Sequence, residues 1–209
     1  MTSPRPISAQ RLELRPVRPR HIPAVYALTE ASRAHLAPWM PWIHSEPSLA
    51  ATTEFVRQAM VQEASGLGAQ FGIWQATDLA GVIGYHPIRW TERHADIGYW
   101  LGPSFEGQGL VSRSVCALLN QAFFDLGLSH IGIQTAEDNV RSQRVADRLG
   151  FRRLGVVAEG EWFIDHWVPS VVFQLSAAEW LARPERDRLL PAVIRPGSAL
   201  PKPGSAGTA

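Results

Sequence analysis

Residues 96–114 read DIGYWLGPSFEGQGLVSRS, and the fold is decided there. Up to Leu101 the stretch has the character of a strand. Gly102, Gly107 and Gly109 then fall in a loop, and a long helix opens near Leu110. Glycines let a backbone come close to a ligand, and the first N–H groups of a helix have no partners within it. That layout suits a pyrophosphate. It equally suits a glycine-rich turn that binds nothing. No Gly-Lys-Ser/Thr follows, so the loop is not a P-loop, and the absence of G-x-G-x-x-G excludes the dinucleotide fingerprint.

Working outward, residues 110–126 place Val111, Val115, Leu118, Leu119, Ala122, Phe123 and Leu126 on one helical face that ends at Gly127. Residues 130–135 alternate as a strand. Asp138 and Asn139 cap a helix over 140–149, closed by Gly150, and residues 151–158 and 170–175 give two more strands. Upstream, residues 11–15 predict a strand, 19–36 a helix, and Ser48 the cap of a second helix with Phe55, Val56, Ala59 and Met60 as its inner stripe. Strands are expected at 70–75, 82–89 and 96–101, with a turn at 78–81. The order βαα, βββ, αβαββ indicates an α/β chain built on a mixed sheet with helices on its faces. Residues 184–209 hold five Pro and three Gly without apolar periodicity. A domain over 1–183 and a flexible tail over 184–209 are therefore expected.

Composition narrows the function. Twenty basic residues against nineteen acidic ones leave a net charge of +1, which does not favour nucleic acid as a partner. Cys116 is the single cysteine, so no internal disulfide can form, and no Cys/His cluster has zinc spacing. Cys116 reads as part of the long helix, and the seven histidines are scattered. The first residues lack an apolar run, and no stretch approaches the ~20 apolar residues of a membrane span. A soluble, cytoplasmic protein without a metal is expected.

The motif Y-W-L-G-P-x-x-x-G-x-G at 99–109, with the helix behind it, resembles the acetyl-CoA motif of the GNAT N-acetyltransferases. The same pattern continues through Asp138-Asn139-x-x-Ser142, Arg148-Leu149-Gly150-Phe151 and Glu161-Trp162. Pro38-Trp39-Met40-Pro41-Trp42 is similar to a segment of the RimJ/RimL group, which includes N-terminal acetyltransferases of ribosomal proteins. The resemblance covers about residues 11–180.

It implies a mostly antiparallel mixed sheet in which the strand ending at Leu101 splays from a parallel neighbour at 131–135. The cleft would take the pantetheine arm of acetyl-CoA along Trp100 and Leu101, with Asn139 bonding that arm. The turn Gln108, Gly109, Leu110, Val111 and Ser112 would hold the pyrophosphate. Glu161 matches the general base and Ser142 the donor to the departing thiolate. A main-chain N–H near Leu101 would meet the oxyanion. Trp39, Trp42 and Trp162 would surround the acceptor, a primary amine such as a protein N-terminus. Three departures stand out. Glu106 sits where Gln or Arg is usual, a charge that Arg113 could offset. Val111 replaces a small residue. Residues 165–169, DHWVP, replace N-G-x-Y-x-D on the acceptor side. A small-molecule amine acceptor and a non-catalytic acyl-CoA-binding module are the alternatives, as a monomer or a homodimer.

Overall fold

The computed structural model describes residues 12–44, 48–183, 191–195 and 200. Strand β1 (Leu12–Pro16) leads into helices α1 (Ile22–Ala31), α2 (Arg33–Leu36) and α3 (Leu49–Ala64). Strands β2 (Gln70–Gln75), β3 (Asp78–Tyr85) and β4 (His94–Leu101) follow, then α4 (Leu110–Asn120), β5 (His130–Ala136) and α5 (Val140–Leu149). The long pair β6 (Arg152–Phe163) and β7 (His166–Ser176), helix α6 (Ala177–Ala182) and the short β8 (Val193–Ile194) complete the order. The strands form one eight-stranded sheet, β6-β7-β5-β4-β3-β2-β1-β8. Only β4/β5 and β1/β8 are parallel. This is the expected mixed α/β sheet with flanking helices.

The core is built by periodicity. Val115, Leu118, Leu119, Ala122, Phe123 and Leu126 are all buried, as their spacing on one helix face requires. From β2, Phe71 and Ile73 join that cluster. Trp74, one residue on, packs instead with Val25 of α1 and Leu79, because successive strand residues point to opposite faces. The α4 helix changes character at Gln121–Asp125, where it widens to a π-turn. There the Tyr85 hydroxyl donates to the Leu118 carbonyl at 2.6 Å, an acceptor that it shares with the Gln121 N–H.

Several expectations are corrected. The helix over 19–36 is a 3-10 turn plus α1 and α2, broken at Ser32. Met60 faces solvent, and buried Thr52 joins Val56 and Ala59 on the inner face of α3. The turn placed at 78–81 belongs to β3; the reversal is at Ala76 and Thr77, between the paired residues Gln75 and Asp78. Ala76 takes φ 56° without a glycine to announce it. Gly81 serves a different need: a Cβ there would lie 2.1 Å from the Trp100 carbonyl oxygen, so only glycine lets β3 close on β4. β3 also ends at Tyr85, short of residue 89.

The end of the chain departs most. Val193 and Ile194 pair in parallel with Glu13 and Leu14, and Ala192 and Leu200 are buried. Arg195 forms an ion pair with the buried Glu13. A two-residue strand leaves no periodic signal, so composition alone misread residues 191–195 as featureless. The apolar pair Leu189 and Leu190 of this stretch lies outside the described residues.

Candidate active site

The parallel pair β4/β5 holds together over three residues only: His94 with His130, Ala95 with Ile131, and Asp96 with Gly132. Beyond that the two strands run on, β4 to Leu101 and β5 to Ala136, lining opposite walls of a cavity of about 1620 Å³. That volume exceeds the ~300–1,000 Å³ of an ordinary small-ligand cleft and leaves room for two reactants.

The β4 ladder decides which main-chain groups face the gap. The bonds from His86 N–H to Asp96 and from Gly102 N–H to Ala80 fix every second β4 residue toward β3. By alternation, the N–H and C=O groups of Ile97, Tyr99 and Leu101 point toward the β5 side. The Leu101 N–H is therefore turned into the cavity, as an oxyanion donor must be. Trp100 turns its main chain to Val82 instead. Only its indole reaches the cavity, 6.2 Å from that of Trp42.

The glycine loop meets the same cavity. Gly107 and Gly109 both have φ +72°, and a Cβ on either would meet nothing within 4 Å. Gly109 is the N-cap of α4 and offers no side-chain bond to the first turn. The leading N–H groups of α4 are thus left for a ligand, and the macrodipole favours an anion there. Leu110, Val111 and Ser112 line the cavity. Gln108 does not: its side chain donates to the Ser104 carbonyl and accepts from Gln75. Its contribution can come only from the main chain.

The charge of Glu106 is answered, though not by Arg113. Glu106 pairs with Arg141 of α5, and His35 Nε2 lies 3.1 Å from its other oxygen. Arg141, Arg144 and Arg148 all line the cavity, and Arg148 donates to the buried Ser112 hydroxyl at 3.2 Å. These arginines fall at helical spacing in VRSQRVADRL, a signal of one basic helix face that the motif, which includes Arg148 alone, does not contain. They give the wall opposite the α4 N-terminus a positive character that matches phosphate.

Asn139 caps α5, its Oδ1 accepting from the Ser142 N–H at 3.1 Å. The expected contact to a pantetheine arm is left to its NH₂. Ser142 lines the cavity in the first turn of α5, with its Oγ 2.9 Å from the Tyr99 hydroxyl. Burial pushes the Tyr99 phenol up to about 12, against the opposing bond to Ser142. Tyr99 opens the motif at 99–109, and the resemblance implies no role for it.

Glu161 pairs with Val168 across the β6/β7 ladder and faces the cavity. Glu161 is exposed to solvent on one side, and partial desolvation by the walls raises its pKa above the ordinary Glu value, with His86 working in the opposite sense. His86 lines the same space, although nothing in its surroundings in sequence distinguishes it from the other six histidines. Trp39 and Trp42 reach the cavity. Trp162 does not: next to Glu161 on a strand, it points to the other face and packs edge-on against Trp167 at 5.4 Å. Cys116 is buried, and burial pushes its thiol up to about 12, so no nucleophilic role is open to it. No group of His, Cys, Asp and Glu among the described residues could hold a metal, and no helix among them is long and apolar enough to cross a membrane.

Comparisons with known proteins agree with this geometry. The acetyltransferase (GNAT) domain family matches residues 11–152. The ribosomal-protein-serine acetyltransferase of Escherichia coli (strain K12) is 29% identical over 157 residues, covering 75% of this chain and 88% of that protein. Among solved structures, a RimL ribosomal L7/L12 alpha-N-protein acetyltransferase in complex with coenzyme A superposes with a TM-score of 0.77 at 27% identity, over 81% of this chain and 96% of its own. The microcin C7 self immunity acetyltransferase MccE, in complex with acetyl-CoA and AMP, gives 0.71 at 25% identity, over 75% and 87%. The chain therefore belongs to the acetyltransferase (GNAT) domain family and is an N-acetyltransferase that draws on acetyl-CoA.

Proposed function

We propose that this chain acetylates a protein N-terminal α-amine, with acetyl-CoA in the gap between β4 and β5, Glu161 as general base and Ser142 as donor to the thiolate. The observation that carries the reading is the meeting of Glu161, Ser142 and the outward-turned Leu101 N–H on one cavity, beside a helix N-terminus walled by arginines. The named relatives that act on ribosomal proteins support the choice of acceptor.

The chemistry follows from what an amine needs. A free α-amine has a pKa near 7.7–8.0 and is largely protonated at pH 7. The fraction that has given up its extra proton to solvent attacks, and Glu161, its own pKa raised by desolvation, is matched to take the second proton, which the nitrogen sheds as the amide forms, directly or through one water. The neutral nitrogen attacks the thioester carbonyl, a C–N bond forms, and the oxygen gains charge that the Leu101 N–H meets. The C–S bond then breaks with its electron pair on sulfur. Ser142 donates a hydrogen bond to that thiolate, and the α5 N-terminus favours its charge. The phosphates would rest on the first turn of α4 and on the arginines of α5, while Glu106 stays paired with Arg141.

The test is mass spectrometry of acceptors after incubation with acetyl-CoA. The panel contains peptides beginning with Ser or Ala, the same peptides blocked at the N-terminus, and small primary amines. Acetyl groups on the free peptide N-termini alone are expected. Modification of the small amines with the peptides untouched would replace the protein acceptor by a small-molecule one.

A further inference from the structure

One side chain of the cavity has chemistry that the roles above leave unused. Tyr99 is the residue of β4 whose hydroxyl reaches across the splay to α5, joining the two walls where the parallel ladder has already ended. Its oxygen lies 2.9 Å from Ser142 Oγ and 3.3 Å from the Ser142 carbonyl oxygen. Two arrangements of protons fit those distances. In one, the Ser142 hydroxyl donates to Tyr99, and Tyr99 donates to the carbonyl. The serine proton then points away from the reacting atoms. In the other, Tyr99 donates to Ser142 Oγ, and the serine proton is free to turn into the cavity. Both arrangements use the 2.9 Å contact, and only the second leaves the serine proton available to a reacting atom.

We propose that Tyr99 is a positioning residue for the transfer step: its hydroxyl donates to Ser142 Oγ and so directs the serine proton at the departing CoA sulfur. The proposal rests on the reading of Ser142 as thiolate donor. A lone serine hydroxyl rotates freely and accepts as readily as it donates. Fixing its oxygen as the acceptor of a tyrosine proton leaves donation as the use of its own hydrogen, and a donated bond polarises the next one in the chain. Tyr99 is suited to that task because it stays protonated throughout the neutral range, its phenol being held up at about 12 by burial. No proton is consumed. As the C–S bond breaks, the electron pair on sulfur is met by the Ser142 O–H, the Ser142 oxygen is met by the Tyr99 O–H, and the amine proton rests on Glu161. The thiolate takes a proton from water once it leaves.

The experiment is a double-mutant cycle on the full chain with acetyl-CoA and an N-terminal Ser peptide, reading kcat and KM for each. Tyr99→Phe deletes one oxygen and keeps the ring. It is expected to lower kcat about 3–10-fold, the worth of one hydrogen bond, with KM for acetyl-CoA within about 2-fold of wild type. In a Ser142→Ala background, Tyr99→Phe is expected to cost nothing further. Site-specific 3-fluorotyrosine at position 99 keeps the hydroxyl and should hold kcat at or above the wild-type value, which supplies a readout even if Tyr99→Phe folds poorly. A wild-type kcat in Tyr99→Phe, equal losses in both backgrounds, or a several-fold fall with 3-fluorotyrosine would each overturn the role of Tyr99. If Ser142→Ala alone loses activity while Tyr99→Phe does not, the serine keeps its role and only the tyrosine loses its own. If Ser142→Ala is fully active, the donor reading itself falls.

Discussion

The two sides of the cavity are built from different kinds of sequence. The acetyl-CoA side comes from one continuous stretch, β4 through α5, residues 94–149, and each of its parts is local. Positive-φ glycines, an N-cap and three arginines on one helix face all act within a turn or two of themselves. On the proposed reading, the acceptor side is assembled from Trp39 and Trp42 before α3, His86 after β3 and Glu161 on β6, all of which line the cavity. Those segments meet only through the sheet. The lesson is that a cofactor cradle is a local device, whereas an acceptor mouth is a consequence of register.

Two variants test that division most strongly. Glu161→Gln should lower kcat by about 10²–10⁴-fold, the usual loss for a general base, while leaving the KM for acetyl-CoA unchanged. Steady-state release of the CoA thiol measures both. A parallel loss of acetyl-CoA binding would mean that the two sides are one site. Gly109→Trp should act in the opposite compartment. The αL conformation costs a non-glycine residue about 1–2 kcal/mol, and the indole would fill the cradle. Calorimetry should find acetyl-CoA binding at least ~10-fold weaker in a protein that is still folded.

That division also explains what could be read in advance. The glycine loop and the α5 cap follow from punctuation that acts locally, so they were legible, whereas the splayed pair came from the resemblance. The two faces of β6 were not legible. Between Val157 and Glu161 the β6/β7 register shifts, and a one-residue slip in a strand exchanges its faces. Nothing in the sequence announces that irregularity, so which face Glu161 takes was not legible, although alternation alone puts Trp162 on the face opposite to it. The turn at Ala76 escaped because it lacks glycine, and β8 because two residues carry no period.

Smaller effects sharpen the comparison. Glu106→Gln removes a negative charge beside the α4 N-terminus and releases Arg141. Acetyl-CoA should bind about 2–5-fold tighter, a modest gain since exposed ion pairs are worth ~1 kcal/mol or less. A weaker complex would show that the pair holds the loop in shape. Ending the chain after Arg183 removes β8 and uncovers the edge of β1. A loss of about 1–3 kcal/mol from lost contacts and pairing should lower the Tm by several degrees, read by thermal melting, with both KM values intact. Trp162→Ala should change kcat and KM for the acceptor by less than about 2-fold, because the indole lies against Trp167 and not in the cavity. Trp42→Ala should weaken the acceptor more.

The account turns on Glu161 as the group that takes the amine proton, and the pH dependence of kcat/KM for the amine tests this directly. A reactive amine must be unprotonated, so log kcat/KM rises with slope one below the pKa of the amine. A base that must also be ionised adds a second unit of slope below its own pKa. Desolvation has moved that point above the ordinary Glu value, with His86 acting in the opposite sense. The wild type should therefore bend from slope two to slope one at the raised Glu161 pKa. His86→Ala should carry the bend to higher pH. Glu161→Gln should show slope one throughout. A Glu161→Gln variant that keeps the bend at the same pH would place the base elsewhere and contradict the account.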